Sequence, residues 1–325
     1  MNDIIKNLSA VSAQWLDPSN PLTQETIQAL QVSTGLNARQ ITQAIQNCFE
    51  ELTEPKINAY VRDWDQVPIS NVVKISDKPM SKGQNVLHIL PSNAFTAWVH
   101  GAVITLLLEK NCFLKASRRE PVFARAWKRS LEMVQPTLGA RIGLATATQE
   151  AYENISAIVA YGADETLRTI QKEIPTGIPF VGYGHKLSVG VIFRECADES
   201  SLEDLLPCLR RDADPFRLQG CLSPQILYVE NPRMTRWPAL DADLDVAPKI
   251  RPFERWTDVA AQLEKFNPFL SCIGYAGRSD RQSWLEKECR EFEGLRICAL
   301  GEMQRPPLGW LNGGNDLATV IGYAA

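Results

Sequence analysis

A cysteine set in Gln219-Gly220-Cys221-Leu222-Ser223-Pro224-Gln225 is a candidate nucleophile. Thiolate is the reactive form, and neighbouring backbone donors or a nearby cation raise its population. The chain has 8 cysteines, and by itself any one of them is more often a small apolar residue. Cys221 therefore needs company. "HILPSNAF" sets Asn93 after a short apolar run, where its amide either meets developing negative charge or caps the next helix. "FLKASRREP" sets Lys115, Ser117 and Arg118 after another such run. That pattern reads as an anion-binding turn or as a solvated basic helix start, to which Arg119, Arg125, Lys128 and Arg129 add charge. "VAYGADETL" puts Gly162 and Ala163 where the N–H groups of a following helix can meet a phosphate, or simply in a βα turn. "YGHKLSV" brings Gly184, His185 and Lys186 together, with His185 readable as an acid or as a structural ring.

The elements that must carry these residues alternate. The first 60 or so residues are helical in pattern, with Ile41, Ile45, Cys48, Phe49 and Leu52 on one face and Asn37 as N-cap. A turn-rich stretch, "PISNVVKISDKPMSKGQN", follows. From residue 86, strands ("VLHIL", "CFLKA", "AIVAY", "PFVGY", "SVGVIF") alternate with helices ("AFTAWVHGAVITLLLEK", "EPVFARAWKRSLEMV", "DETLRTIQKEI"). After Cys221 come "ILYVE", "WTDVAAQLEKF", "SCIGYAG", "RQSWLEKECREF" and "LRICAL", a second α/β run. Such alternation predicts right-handed βαβ units, mainly parallel sheets, and ligands beyond the carboxyl ends of the strands. The expected architecture is two α/β lobes with a cleft.

The bulk numbers agree. At 325 residues, 45% hydrophobic and 22% charged, the chain reads as an ordinary globular protein of about two domains. A net charge of −4 speaks against a general nucleic-acid binder. The longest apolar run breaks at Glu109 and Lys110, the N-terminus carries no convincing signal peptide, and the scattered cysteines lack metal spacing. With 3 histidines, no metal site and no membrane span are expected, and the reading is a cytoplasmic chain of reduced thiols.

Taken in order, these stretches resemble the aldehyde dehydrogenase superfamily, most closely the LuxC-like fatty acyl reductases of its acyl-CoA reductase branch. The resemblance runs over roughly residues 85–230, with an echo in "GEMQRPPLGW". It implies a two-lobed aldehyde-dehydrogenase-like α/β fold, with a Rossmann-like cofactor domain and a smaller α/β catalytic domain. Its expected parts are an N-terminal helical segment (1–84) packing on the cofactor domain, an NADP-binding domain (85–215), a catalytic domain (216–300) and a C-terminal return segment (301–325).

It also implies roles. Cys221 falls on the nucleophile and Asn93 on the oxyanion donor. Lys115 and Ser117 fall on the adenosine ribose, and Arg118 replaces the Glu of many NAD-preferring members, favouring NADPH through its 2′-phosphate. Gly162, Ala163 and Gly184 fall on cofactor-binding turns, and Glu302 on the contact to the nicotinamide ribose, without the usual Phe. The general-base Glu that drives thioester hydrolysis falls at Gly182 and is missing, which points to a thioester reductase with His185 as an acid. The expected substrate is an acyl-CoA or acyl carrier protein thioester, with room for an acyl-transferring partner protein and a homo-oligomer. A semialdehyde dehydrogenase, or a non-catalytic nucleotide- or acyl-carrier-binding subunit, is the alternative. Cys221, Asn93 and Lys115 together speak against the non-catalytic one.

Overall fold

The computed structural model describes residues 1–64, 84–145, 154–231 and 247–322. The turn-rich stretch after α4 lies, from 68 to 83, outside the described residues. The chain divides into two compact units: Met1–Gly184 with Pro307–Gly309 and Asn315–Ala325, and His185–Pro306 with Trp310–Gly314.

The first unit opens with four helices, α1 (Asn2–Leu16), α2 (Pro21–Thr34), α3 (Ala38–Phe49) and α4 (Glu54–Trp64). Each has a local cause. The Asn20 side chain accepts from Leu22 N–H and Thr23 N–H ahead of α2, which ends on Gly35 at φ 71°. Asn37 and Gln40 form a reciprocal capping box on α3. The predicted apolar face of α3 is the buried one, with Ile41, Ile45 and Phe49 no more than 1% exposed.

A five-stranded parallel sheet follows, ordered β3-β2-β1-β4-β5. Its strands are β1 (Asn85–Ile89), β2 (Asn111–Lys115), β3 (Ile142–Leu144), β4 (Ile155–Tyr161) and β5 (Phe180–Tyr183). Helices α5 (Val99–Leu107), α6 (Val122–Val134), α7 (Pro136–Gly139) and α8 (Asp164–Glu173) connect them. The order reverses between β1 and β4, the switch point at which sheets of this kind open for ligands. An aromatic cluster fastens the N-terminal helices here. Phe123 of α6 stands 5.1 Å from Trp15, 5.0 Å from Phe95 and 6.1 Å from Trp98 between ring centroids. Trp15 Nε1 donates to Ser130 Oγ at 3.1 Å, so the buried indole keeps its hydrogen bond.

The second unit holds another parallel sheet, ordered β10-β9-β6-β7-β8. Its strands are β6 (Leu187–Ile192), β7 (Pro224–Glu230), β8 (Lys249–Phe253), β9 (Leu270–Ala276) and β10 (Arg296–Ala299). Its helices are α9 (Glu199–Ala213), α10 (Trp256–Phe266) and α11 (Asp280–Glu288), while α12 (Leu317–Gly322) packs on α5 and β4 of the first unit. Side chains alternate along the strands as a pleated sheet requires. Val189, Val191 and Tyr228 join Val259, Leu263 and Leu285 on the α10/α11 face, while Ile192, Leu227 and Val229 join Leu209 of α9 on the other.

The units part at Gly184/His185 rather than at 215, because β6 enters the second sheet as its central strand instead of extending the first. On the α9 face, Gly190 and Gly274 lie side by side in the β6/β9 register. A Cβ on Gly274 would fall 2.4 Å from Met303 Sδ, so the glycine leaves room for Met303 to seat against the sheet. Gly274→Ala is expected to cost about 1–3 kcal/mol of stability by overpacking, read from chemical denaturation. Among the described residues, no helix is long and apolar enough to cross a membrane.

Candidate active site

Behind Cys221 the backbone is strained. Phe216, Arg217 and Leu218 have φ of 60°, 50° and 59°, three successive non-glycine residues in the left-handed region. Each such residue costs roughly 1–2 kcal/mol, and strain of this kind survives only where its surroundings hold it. The holding contacts are present. Phe216 is buried, Gln225 Nε2 donates to Leu218 C=O, and Ser223 N–H donates to Gly220 C=O at 3.1 Å. Fully buried Ser188 donates its hydroxyl to Cys221 C=O at 2.6 Å. A Cβ on Gly220 would lie 3.3 Å from the Phe216 ring and from Ser223 Oγ, so that both would have to give by a few tenths of an ångström.

The topology then gathers chemistry at one edge. β6 is flanked by β9 and β7, with Leu187 opposite Leu270 and Ser188 opposite Pro224. His185 and Lys186 precede β6, Phe269 precedes β9, and Cys221 precedes β7, so all four lie at the amino-terminal edge of the sheet. The nucleophile candidate thus departs from the carboxyl-end rule. Exposed His185 meets Phe269 edge-on, with ring centroids 6.2 Å apart, and Lys186 Nζ donates to Pro268 C=O at 3.2 Å.

Desolvation pushes the pKa of the half-buried Cys221 thiol above its ordinary value, while its own N–H, the Lys186 charge and Leu222 N–H pull the other way. Two other half-buried thiols have different neighbours: burial raises Cys196 and Cys208 as well, and Glu195 and Asp198 add to it at Cys196, as Asp212 does at Cys208 against the pull of Arg211. At Cys221 burial outweighs those donors and the cation. The other two histidines are held elsewhere. His88 is buried, its pKa lowered by desolvation to about 3, and half-buried His100 has its Nε2 3.3 Å from Cys48 C=O.

In the first unit, Lys115 ends β2, and Asn93, Gly162 and Gly184 follow the carboxyl ends of β1, β4 and β5. Asn93 is exposed and does not cap α5, whose N-cap is Trp98 with no side-chain bond. Burial lowers the pKa of Lys115, opposed by Glu173 and reinforced by Arg118. Ser117 Oγ accepts from Glu120 N–H at 3.0 Å, and buried Glu120 caps α6 through Val122 N–H and Phe123 N–H. Arg118 is exposed. Lys115, Ser117 and Arg118 therefore form an anchored, cationic turn.

The other cofactor assignments fit less closely. Ala163 is the exposed N-cap of α8, but Asp164 and Glu165 occupy its first turn and repel a pyrophosphate there. A Cβ on Gly162 would meet only the Thr166 side chain, at 3.8 Å. One on Gly184 would fall 2.2 Å from Asp164 Oδ1, the end of an exposed side chain that can move aside. Glu302 in the second unit is already paired with Arg305 at 3.1 Å and Arg211 at 3.7 Å.

Sequence reasoning missed the brace beneath the Cys221 turn. Asp212 at the end of α9 accepts from Gly301 N–H at 2.5 Å and Met303 N–H at 3.0 Å. Burial pushes its carboxyl up to about 7, against the pull of those hydrogen bonds and of Arg296. Arg296 donates to the carbonyls of Glu302 (2.8 Å), Met303 (2.9 Å) and Arg305 (3.0 Å). The segment so clamped presents Gln304 to Ser223. Nothing in the spacing of these residues announces the arrangement. Among the described residues, no group of three or more His, Cys, Asp or Glu could hold a metal ion.

Comparison with known proteins follows this geometry. The family model for acyl-CoA reductase (LuxC) matches residues 1–236. No curated protein matches. Among solved structures, methylmalonate-semialdehyde dehydrogenase from Oceanimonas doudoroffii is 10% identical with a TM-score of 0.65, over 98% of this chain and 84% of that one. An NADP-dependent enzyme of E. coli is 13% identical with a TM-score of 0.63, over 92% and 78%. An acetylating aldehyde dehydrogenase from Geobacillus thermoglucosidasius is 11% identical with a TM-score of 0.61, over 96% and 83%. The fold is therefore aldehyde-dehydrogenase-like, and fold and family agree on an oxidoreductase of the aldehyde dehydrogenase/reductase type. Its Cys221 turn and its Lys115 turn lie within the stretch that the family model matches, and the chain belongs to the acyl-CoA reductase (LuxC) family.

Proposed function

We propose that the protein reduces a fatty acyl thioester, acyl-CoA or acyl carrier protein, to the aldehyde with NADPH, through an S-acyl intermediate on Cys221. The observation that carries this reading is the Cys221 turn itself: a strained backbone behind a thiol whose thiolate is favoured by its own N–H, the Lys186 charge and Leu222 N–H. In the mechanism, the Cys221 thiolate attacks the thioester carbonyl and the carrier thiolate leaves. His185, exposed at the same sheet edge, gives that leaving sulfur a proton. Cys221 N–H holds the oxygen as negative charge gathers on it, and the Asn93 amide is the second donor that the family resemblance assigns to it. NADPH, when bound, supplies the hydride that takes the acyl-enzyme to a thiohemiacetal. Collapse of that adduct frees the aldehyde and restores the Cys221 thiol. Lys115, Ser117 and Arg118 hold the adenosine end of the cofactor.

Gly182 supports reduction over hydrolysis. No carboxylate stands at that position, and a Cβ there would already sit 3.0 Å from the Phe180 ring. Without a general base at this point, the thioester is spared for reduction.

The test is consumption of NADPH and of NADH, followed by absorbance, across a panel of acyl-CoA chain lengths. NADPH-linked aldehyde formation is the expected result, and acid as the product would overturn the reading. Arg118→Glu is expected to raise KM for NADPH about tenfold or more while leaving NADH little affected, because a phosphate-paired guanidinium becomes a repelling carboxylate. An unchanged cofactor ratio would remove Arg118 from the 2′-phosphate site.

A further inference from the structure

We infer that Gln304 is a positioning residue for the Cys221 thiol, acting through Ser223; the inference rests on the reading of Cys221 as nucleophile. The side-chain amide of Gln304 lies across the turn. Its Nε2 donates to Ser223 Oγ at 2.8 Å and to Asp212 C=O at 2.9 Å, which uses both amide hydrogens. Its Oε1 lies on the Gly220 side, 3.8 Å from where a Cβ on that residue would be. One amide therefore faces both neighbours of the Cys221–Leu222 pair.

Gln304 is itself held rigidly. Asp212 accepts the N–H groups of Gly301 and Met303, Arg296 binds three carbonyls from Glu302 to Arg305, and Met303 is wholly buried against the glycine-lined sheet face. Ser188 fixes Cys221 C=O from the sheet side, so the peptide around Cys221 is held on both flanks. That hold matters because Cys221 N–H and Leu222 N–H stabilise the thiolate only while the turn keeps them on the sulfur. A half-buried thiol already raised in pKa by desolvation has little margin for losing those donors. Gln304 touches none of the reacting atoms; its effect passes through Ser223 and the turn.

The experiment follows the pH dependence of iodoacetamide labelling at the Cys221 peptide, read by mass spectrometry from about pH 6 to about pH 10. The proteins are wild type, Gln304→Met, Ser223→Ala and the double variant. Methionine keeps most of the glutamine volume but has no donor, so the packing survives. Expected is labelling at neutral pH slowed about tenfold in each single variant, with the titration moved to higher pH, the scale of one lost hydrogen bond. The double variant is expected to lose no more than either single one, since both break the same link. A Gln304→Met profile that superimposes on wild type would overturn the inference, and so would losses that multiply in the double variant. Labelling needs neither acyl-CoA nor cofactor, so its result stands whether or not Cys221 carries the acyl group in turnover.

Discussion

Cys221→Ala is expected to stay folded and to lose acyl-CoA reduction by at least about a thousandfold, the scale at which covalent catalysis fails when its nucleophile is removed. Folding should survive because the residue is half-buried and lies on the margin of its apolar cluster, so that removing one sulfur leaves a small, partly open gap. The loss should also be particular to this thiol. Burial, with neighbouring carboxylates added to it, raises the thiols of Cys208 and Cys196, which are likewise half-buried, and their alanine variants are expected to retain turnover within a few fold. Initial rates of NADPH oxidation with a saturating acyl-CoA measure both. A Cys221→Ala protein that still forms aldehyde at a comparable rate would take the nucleophile out of the mechanism.

Asp212→Ala is expected to cost about 2–5 kcal/mol of stability near pH 5, because it strands Gly301 N–H and Met303 N–H in a buried loop. The cost should shrink as pH rises. The folded carboxyl titrates at about 7, above its ordinary 3.8, so between these values the native chain binds more protons than the unfolded one. Wild-type stability from this group is therefore full below about pH 4 and declines as pH rises to 7, whereas the alanine variant has no such decline. Denaturant midpoints at about pH 5 and about pH 8 read the difference. A gap that widens with pH would contradict the burial-driven shift.

Most strands were legible because their apolar runs are short, β-branched and bounded by turns; β4, buried along nearly its whole length, is the clearest. β8 was not, since Pro252 and mostly outward-facing side chains leave an edge strand with no alternation to read. Three-residue β3 is too short to carry a pattern. α9 escaped because Pro207 and a run of charges interrupt its apolar face. The placement of β6 is a matter of sheet order, and its own apolar run fits either sheet equally well.

The site divides in the same way. Cys221, Asn93 and the Lys115 turn stood out through local motifs at strand ends. Gly184 also stood out, just after β5, through the same kind of local motif. Asp212 and Gln304 were silent because their partners lie some 90 residues away in the chain, joined only by the fold.

The central claim is an acyl group carried on Cys221, and the direct measurement is peptide mass after mixing the protein with acyl-CoA in the absence of NADPH. The account predicts one acyl addition on the peptide bearing Cys221, one equivalent of CoA released, and disappearance of the adduct when NADPH is added. Release of CoA with no adduct at Cys221, or an adduct on another cysteine, would contradict it.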